Sequence, residues 1–241
     1  MTERAKKTAV VDGVAFEFCI PDEFRGILLT FEGGDGAGKS GHVAAASQFF
    51  RDLGFDVVVT REPGGTPLGE KSRDLMLHEP MSNEAETLLA YASRAEHIAK
   101  VIKPALDAGK VVICDRYVDS TYVYQGVCGG YPVDKMDALN DLVVGDLMPS
   151  LTLYFDLAPE IAAQRLDLTG KDPDKFESRG IEYFDRVRKG YQGLVKKSNG
   201  RMRVIDSSPP FAEVGRSVLM TCASFLAGAF PVPNLASKVK P

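Results

Sequence analysis

No apolar run in the chain reaches the roughly 18 residues that a membrane-crossing helix needs, so no membrane partner is expected. The opening stretch, Met1 to Val10, is polar and basic and lacks an apolar segment with a small-residue cleavage site. A signal peptide is therefore not expected, and a cytoplasmic protein is. Cysteine is sparse: Cys19, Cys114, Cys128 and Cys222 lie far apart, with no C-x-x-C pair. That spacing argues against zinc and dithiol chemistry and for inert, buried thiols. Positive charge is not in excess either, with 29 basic residues against 33 acidic and a net charge of -4. A surface built for a nucleic-acid polymer is not expected from that balance. Internal repeats and low-complexity linkers are also missing. What is present, 241 residues of which 44% are hydrophobic and 26% charged, suits a folded protein with a full core.

Short apolar runs alternate with helical patterns. Gly26 to Phe31, Asp56 to Thr60, Lys110 to Cys114, Leu151 to Phe155 and Met202 to Ile205 read as five strands. Helices are expected from Lys39 to about Leu53, along Asn83 to Ala108 and from Phe211 to Leu226, where apolar residues recur at helical spacing. Apolar strands alternating with helices imply an α/β fold with a parallel sheet covered on both faces. Residues 26–241 read as one domain. Residues 1–25 fall outside the pattern as an N-terminal extension. Their Asp12-Gly13 pair between apolar residues is consistent with a small hairpin, and a loosely ordered tail is the alternative.

The segment Gly33-Gly34-Asp35-Gly36-Ala37-Gly38-Lys39-Ser40 fits G-x-x-x-x-G-K-[ST]. It directly follows the first apolar strand and opens the first helix. In that setting glycine backbone N–H groups wrap phosphate oxygens, and the helix N-terminus adds partial positive charge. Lys39 is placed to bridge the β- and γ-phosphates, and Ser40 to offer a hydroxyl to Mg²⁺. The reading is a P-loop that binds a nucleoside triphosphate. An N-K-x-D guanine motif is missing, which argues against a GTPase. The third strand ends Cys114-Asp115-Arg116-Tyr117. An arginine beside that carboxylate suits an anionic acceptor better than an attacking water.

With Phe31 to Ser40, three further segments carry a family resemblance: Thr60-Arg61-Glu62-Pro63-Gly64-Gly65-Thr66-Pro67-Leu68-Gly69-Glu70, Ala92-Ser93-Arg94-Ala95-Glu96-His97 and Asp115 to Gly126. In this order they resemble the thymidylate (dTMP) kinases over about Gly26 to Leu226. The resemblance implies a P-loop NTPase fold with a five-stranded parallel sheet and a mobile lid at about residues 165–178. It also implies ATP-dependent phosphorylation of dTMP to dTDP with Mg²⁺, by a homodimer. By family match Arg61, Arg73 and Arg116 hold the dTMP phosphate and Arg94 hydrogen-bonds the thymine. Thr121, Tyr124 and Gln125 line base and deoxyribose. Asp35 faces the acceptor, where it orients Lys39 and the arginines. The acceptor phosphate is already ionised, so catalysis rests on alignment and charge neutralisation.

Two positions depart from the family pattern. Relatives without a P-loop arginine supply catalytic arginines from the lid, and position 36 here is glycine. Between Arg165 and Glu177, however, Arg165 is the only arginine; Lys171 and Lys175 are the other cations. Lysine keeps the charge but lacks the bidentate fork. Four residues before Arg94, where relatives carry an aromatic that stacks on thymine, stands Ala90. Tyr91 is turned about 100° away along a helix and is expected to pack internally. Ala90 leaves open a nucleoside monophosphate kinase with altered base preference. The sparse lid leaves open a nucleotide-binding protein with weakened catalysis.

Overall fold

The computed structural model describes residues 6–168 and 175–232. Strand β3 (Ile27–Glu32) is buried along its whole length. Successive side chains of a strand point to opposite faces, so its apolar run feeds two cores at once. Ile27, Leu29 and Phe31 pack with Val43, Ala46 and Phe50 of α1 (Lys39–Asp52) and with Val214, Val218 and Cys222 of α9 (Phe211–Ala229). On the other face Leu28 meets Ile98, Ile102 and Tyr117. Each fully buried large apolar side chain contributes roughly 1.5–3 kcal/mol by leaving water.

Around β3 the sheet is parallel, in the order β4 (Val57–Arg61), β5 (Val111–Asp115), β3, β6 (Leu151–Asp156), β7 (Met202–Asp206). In register Arg61 lies opposite Asp115, and Asp115 opposite Phe31. The carboxyl ends of these three strands are thus level, and the loop Gly33 to Gly38 springs from β3, the central strand of the sheet. All four cysteines are free, and Cys19, Cys114 and Cys222 are buried.

The helical stretch expected along Asn83 to Ala108 is interrupted. Helix α3 (Asn83–His97) widens into a π-type turn over Ile98–Ile102, then continues as α4 (Lys103–Asp107). Within the turn the Lys103 N–H bonds the carbonyl of Ile98, five residues back. Pro104 explains the break: it has no N–H to give, and its ring conflicts with an α-helical carbonyl four residues earlier. A second wide turn, Tyr122–Cys128, follows the short α5 (Val118–Thr121). Such turns gather at functional sites, and this one carries Tyr124 and Gln125.

Residues 6–25 contribute to the core. Strands β1 (Lys6–Val11) and β2 (Val14–Cys19) pair antiparallel about Asp12 and Gly13, both at positive φ. Ala9, Val11 and Phe18 are buried in the same cluster as α1 and α9. Lys7 Nζ donates to Leu53 O at 2.5 Å, satisfying a carbonyl at the C-terminal end of α1.

Helices α2 (Pro67–His78) and α6 (Val133–Val143) each pack against α3. Helices α7 (Pro159–Asp167) and α8 (Ile181–Lys197) bracket the lid stretch. Of that stretch, residues 169–174, including Lys171, lie outside the described residues.

Candidate active site

The phosphate loop ends at the N-terminus of α1, which has no side-chain cap among the described residues and no acidic residue in its first turn. Its free N–H groups and dipole are left for an anion. Gly36 has φ 75, and a Cβ there would stand 2.6 Å from the carbonyl oxygen of Ala162. Backbone conformation and space together exclude an arginine at this position. Lys39 is buried and folds back to donate to Gly33 O (3.0 Å) and Gly34 O (2.7 Å). Burial and the neighbouring Arg116 push its ammonium down to about 8, against the pull of Asp35, Asp115 and Glu32. Ser40 Oγ donates to Asp115 Oδ2 at 2.5 Å.

Arg116 is the hub of the site. It is a non-glycine residue at φ 68, a conformation that side chains other than Asn and Asp seldom adopt. Its guanidinium pairs with Asp35 and donates to Gly33 O at 2.9 Å, with Ser120 Oγ (3.3 Å) and Tyr191 OH (3.4 Å) alongside. Tyr124 OH donates to Asp35 Oδ2 at 3.1 Å, and the Tyr124 ring lies 5.0 Å beneath the guanidinium. Burial would raise the Asp35 carboxyl, but Arg116 and Lys39 outweigh it and hold it below its ordinary range.

Two cavities meet at this hub. One is lined by Arg94, Thr121, Tyr124 and Gln125, with Ala90 and Phe176; the other by Gly36, Gly38, Lys39, Ser40, Arg61 and Asp115. They share Asp35, Glu62, Arg73 and Arg116. Arg73 also donates to Pro63 O at 3.3 Å. Arg61 lies on the phosphate-loop side only, in a half-exposed pair with Glu70. Arg165 lines neither cavity and donates to Ser207 O at 2.9 Å.

Tyr91 turns away from the cavity. It is buried and donates to Met136 O at 3.2 Å. Phe176 lines the cavity with Tyr117 and Tyr124, edge-to-face with Tyr124 at 5.5 Å. Beside it Lys175 pairs with Glu86, whose other oxygen accepts from Gln125 Nε2 at 2.8 Å.

Sequence reading missed the carboxylates that organise these cations: Glu32, Glu62 and Glu86, all buried. Glu32 closes the β3 strand beneath the loop. It accepts from Tyr117 N (2.7 Å), Ser120 Oγ (2.6 Å) and Tyr191 OH (2.9 Å). The available signal was its place at the end of an otherwise apolar strand.

Burial, then repulsion from Asp119, pushes the Glu32 carboxyl up from 4.5 to about 7, against Ser120, Arg116 and Tyr191. Between those values the native state holds a proton that the unfolded chain has released, so stability falls as pH rises through that window and levels off above it. Glu32→Gln removes this titration. Its unfolding free energy relative to wild type is expected to rise by about 2 kcal/mol from pH 5 to pH 8. Urea unfolding of both proteins at the two pH values measures it, and parallel pH curves would refute the assignment.

Comparison with known proteins places the chain in a family. The family model described as Thymidylate kinase matches residues 31–218. A thymidylate kinase of Methylobacillus flagellatus is 47% identical over 205 residues, covering 84% of this chain and 100% of the relative. One from Bordetella pertussis is 47% identical over 195 residues, covering 81% of this chain and 93% of its own. Among solved structures, thymidylate kinase from Ehrlichia chaffeensis superposes with a TM-score of 0.65 at 34% identity, covering 82% of this chain and 98% of that one. A strand-borne P-loop, an arginine hub and two adjoining cavities thus occur together with sequence likeness along most of the chain, which belongs to the thymidylate kinase family.

Proposed function

We propose that the protein transfers the γ-phosphoryl group of ATP to the phosphate of dTMP, giving ADP and dTDP. The observation that carries this reading is the hub shared by the two cavities: Asp35, Arg73 and Arg116 stand where a donor on the phosphate loop and an acceptor beside it meet. An acceptor phosphate oxygen forms the new bond to the γ-phosphorus as the bond to the ADP oxygen breaks. No proton need be removed from the acceptor, because it is already an anion.

Lys39 gives up its loop carbonyls to neutralise the β- and γ-phosphates. Arg73 and Arg116 clamp the acceptor phosphate, with Arg61 approaching from the loop side. Asp35, held by Arg116 and Tyr124, keeps Lys39 and Arg116 from repelling each other out of position. Arg94, Thr121, Tyr124 and Gln125 receive base and sugar, and Arg165 serves as the lid cation.

Residues at Ser40 and Asp115 fit Mg²⁺. Asp115 Oδ1 is buried without a hydrogen-bond partner among the described residues, next to the Ser40 hydroxyl. Mg²⁺ takes few protein oxygens, completing its shell with phosphate and water. When bound, the ion neutralises charge on the transferring phosphates.

Among the described residues no helix is long and apolar enough to cross a membrane. We place the enzyme in the cytoplasm, as a homodimer. Exposed Leu75, Leu88 and Leu142 on α2, α3 and α6 support the pairing.

Steady-state ADP release with ATP, Mg²⁺ and each of dTMP, dUMP, dGMP, UMP and CMP tests the reading. Turnover confined to dTMP is expected. Comparable rates on several acceptors would mean that Ala90 has relaxed base choice, and no turnover on any would refute the proposal.

A further inference from the structure

Arg94 is fixed from two sides. Its Nε donates to Glu62 Oε2 and its Nη2 to Thr121 Oγ1, both at 2.8 Å. The Tyr91 and Tyr117 rings lie 5.1 and 5.2 Å from the guanidinium carbon. The remaining nitrogen, Nη1, is buried and has no partner among the described residues. Arg94, Ala90 and Thr121 line the same cavity. Glu62 in turn is held by a group that lines neither of the two cavities: His97 Nδ1 stands 2.9 Å from Glu62 Oε1, and His97 Nε2 stands 2.6 Å from Thr60 Oγ1. His97, Glu62 and Arg94 are 0%, 4% and 2% exposed, so water cannot replace a lost partner.

The loop of Gly64 and Gly65 closes over this chain. Gly65 has φ 75, and a Cβ there would lie 2.6 Å from both His97 Nε2 and Thr60 Oγ1. No side chain fits at this position without driving His97 and Thr60 apart.

We propose that His97 and Glu62 are positioning residues for base choice: half-buried Thr60 and buried His97 and Glu62 form a chain that aims Arg94 Nη1 into the acceptor cavity as a donor. An aimed N–H accepts a partner only if that partner presents a lone pair. A pyrimidine with a 4-carbonyl satisfies it. One with a 4-amino group sets donor against donor and leaves buried groups unpaired. The inference rests on the acceptor reading proposed above and extends its base selection to His97, which lines neither of the two cavities.

Substitutions at His97 separate aim from stability. Asparagine places its amide nitrogen near the Nδ1 position and keeps the bond to Glu62. Glutamine reaches the Nε2 position and keeps Thr60 but releases Glu62. With dTMP and dCMP as acceptors, His97→Gln is expected to raise the KM for dTMP about 10- to 100-fold, the range for losing one charge-assisted hydrogen bond. It should narrow the dTMP-to-dCMP ratio of kcat/KM and leave the KM for ATP unchanged. His97→Asn should restore most of that ratio, even where both variants melt below wild type.

Arg94→Lys serves as the control. If it raises the dTMP KM while His97→Gln leaves the KM and the ratio at wild-type values, the positioning role is overturned and the acceptor reading stands. An Arg94→Lys enzyme with unchanged dTMP kinetics would overturn both. Equal losses for His97→Gln and His97→Asn would reduce His97 to a packing residue.

Discussion

Replacing Lys39 by alanine is expected to lower kcat by about 10²–10³-fold or more, the effect of removing one preorganised charge from a transition state. The fold should survive. Among the described residues Lys39 Nζ bonds only the carbonyls of Gly33 and Gly34, and Gly33 O keeps its bond from Arg116. Its loss leaves Asp35 with Arg116 as counter-charge. The buried ammonium, already pushed down to about 8 by burial and Arg116, is costly to hold without an anion beside it. Its electrostatic contribution should therefore appear in turnover far more than in melting temperature. Single-turnover phosphoryl transfer, with circular dichroism melts of both proteins, checks the pair of expectations. Wild-type transfer by the variant would remove the phosphate loop from the donor role.

Arg116→Met should damage both activity and stability. Methionine keeps much of the apolar stem but removes the group that pairs with Asp35 and contacts Gly33, Ser120 and Tyr191. A broken buried pair costs about 3–5 kcal/mol. Here the side chains of Arg116 and Asp35 are 16% and 25% exposed, so about 2–4 kcal/mol is the better expectation. For a chain of this length that lowers the melting temperature by about 5–15 °C. Turnover should fall at least about 100-fold, because the acceptor phosphate loses its clamp. Adding Asp35→Asn to Arg116→Met should recover part of the stability and none of the turnover, since it removes the stranded charge without restoring the clamp. A single variant that melts with wild type would show that Asp35 needs no partner.

The phosphate loop of the candidate site was legible along the chain because it is local, and the other residues were named through the family resemblance. The phosphate loop is eight consecutive residues set between an apolar strand and a helical pattern, and the structure has it between β3 and α1. Asp35, Arg73, Arg94, Arg116, Thr121, Tyr124 and Gln125 converge on one cavity. Arg61 and Arg165 were named with them, and neither lines that cavity. Arg61 sits on the loop side, paired with Glu70, and Arg165 bonds the carbonyl of Ser207. Whether an arginine reaches a pocket depends on the rotamer its neighbours permit, and those neighbours come from other segments.

Apolar periodicity and the phosphate-loop glycines are short-range features, and from them the sequence alone determined the alternation of strands and helices and the strand-to-helix turn that faces phosphate. Partner choice for buried charges was decided only by the tertiary structure. Glu32 meets Ser120 across 88 positions, Glu86 meets Lys175 across 89, and Glu62 meets Arg94 and His97 across 32 and 35. No spacing rule links such pairs. They form because the sheet order brings their segments together and a buried charge without a partner is too costly to leave. The wide turns at Ile98–Ile102 and Tyr122–Cys128, and the hairpin's burial against α1 and α9, were likewise decided by packing, since local propensity yields to whatever surface must be covered.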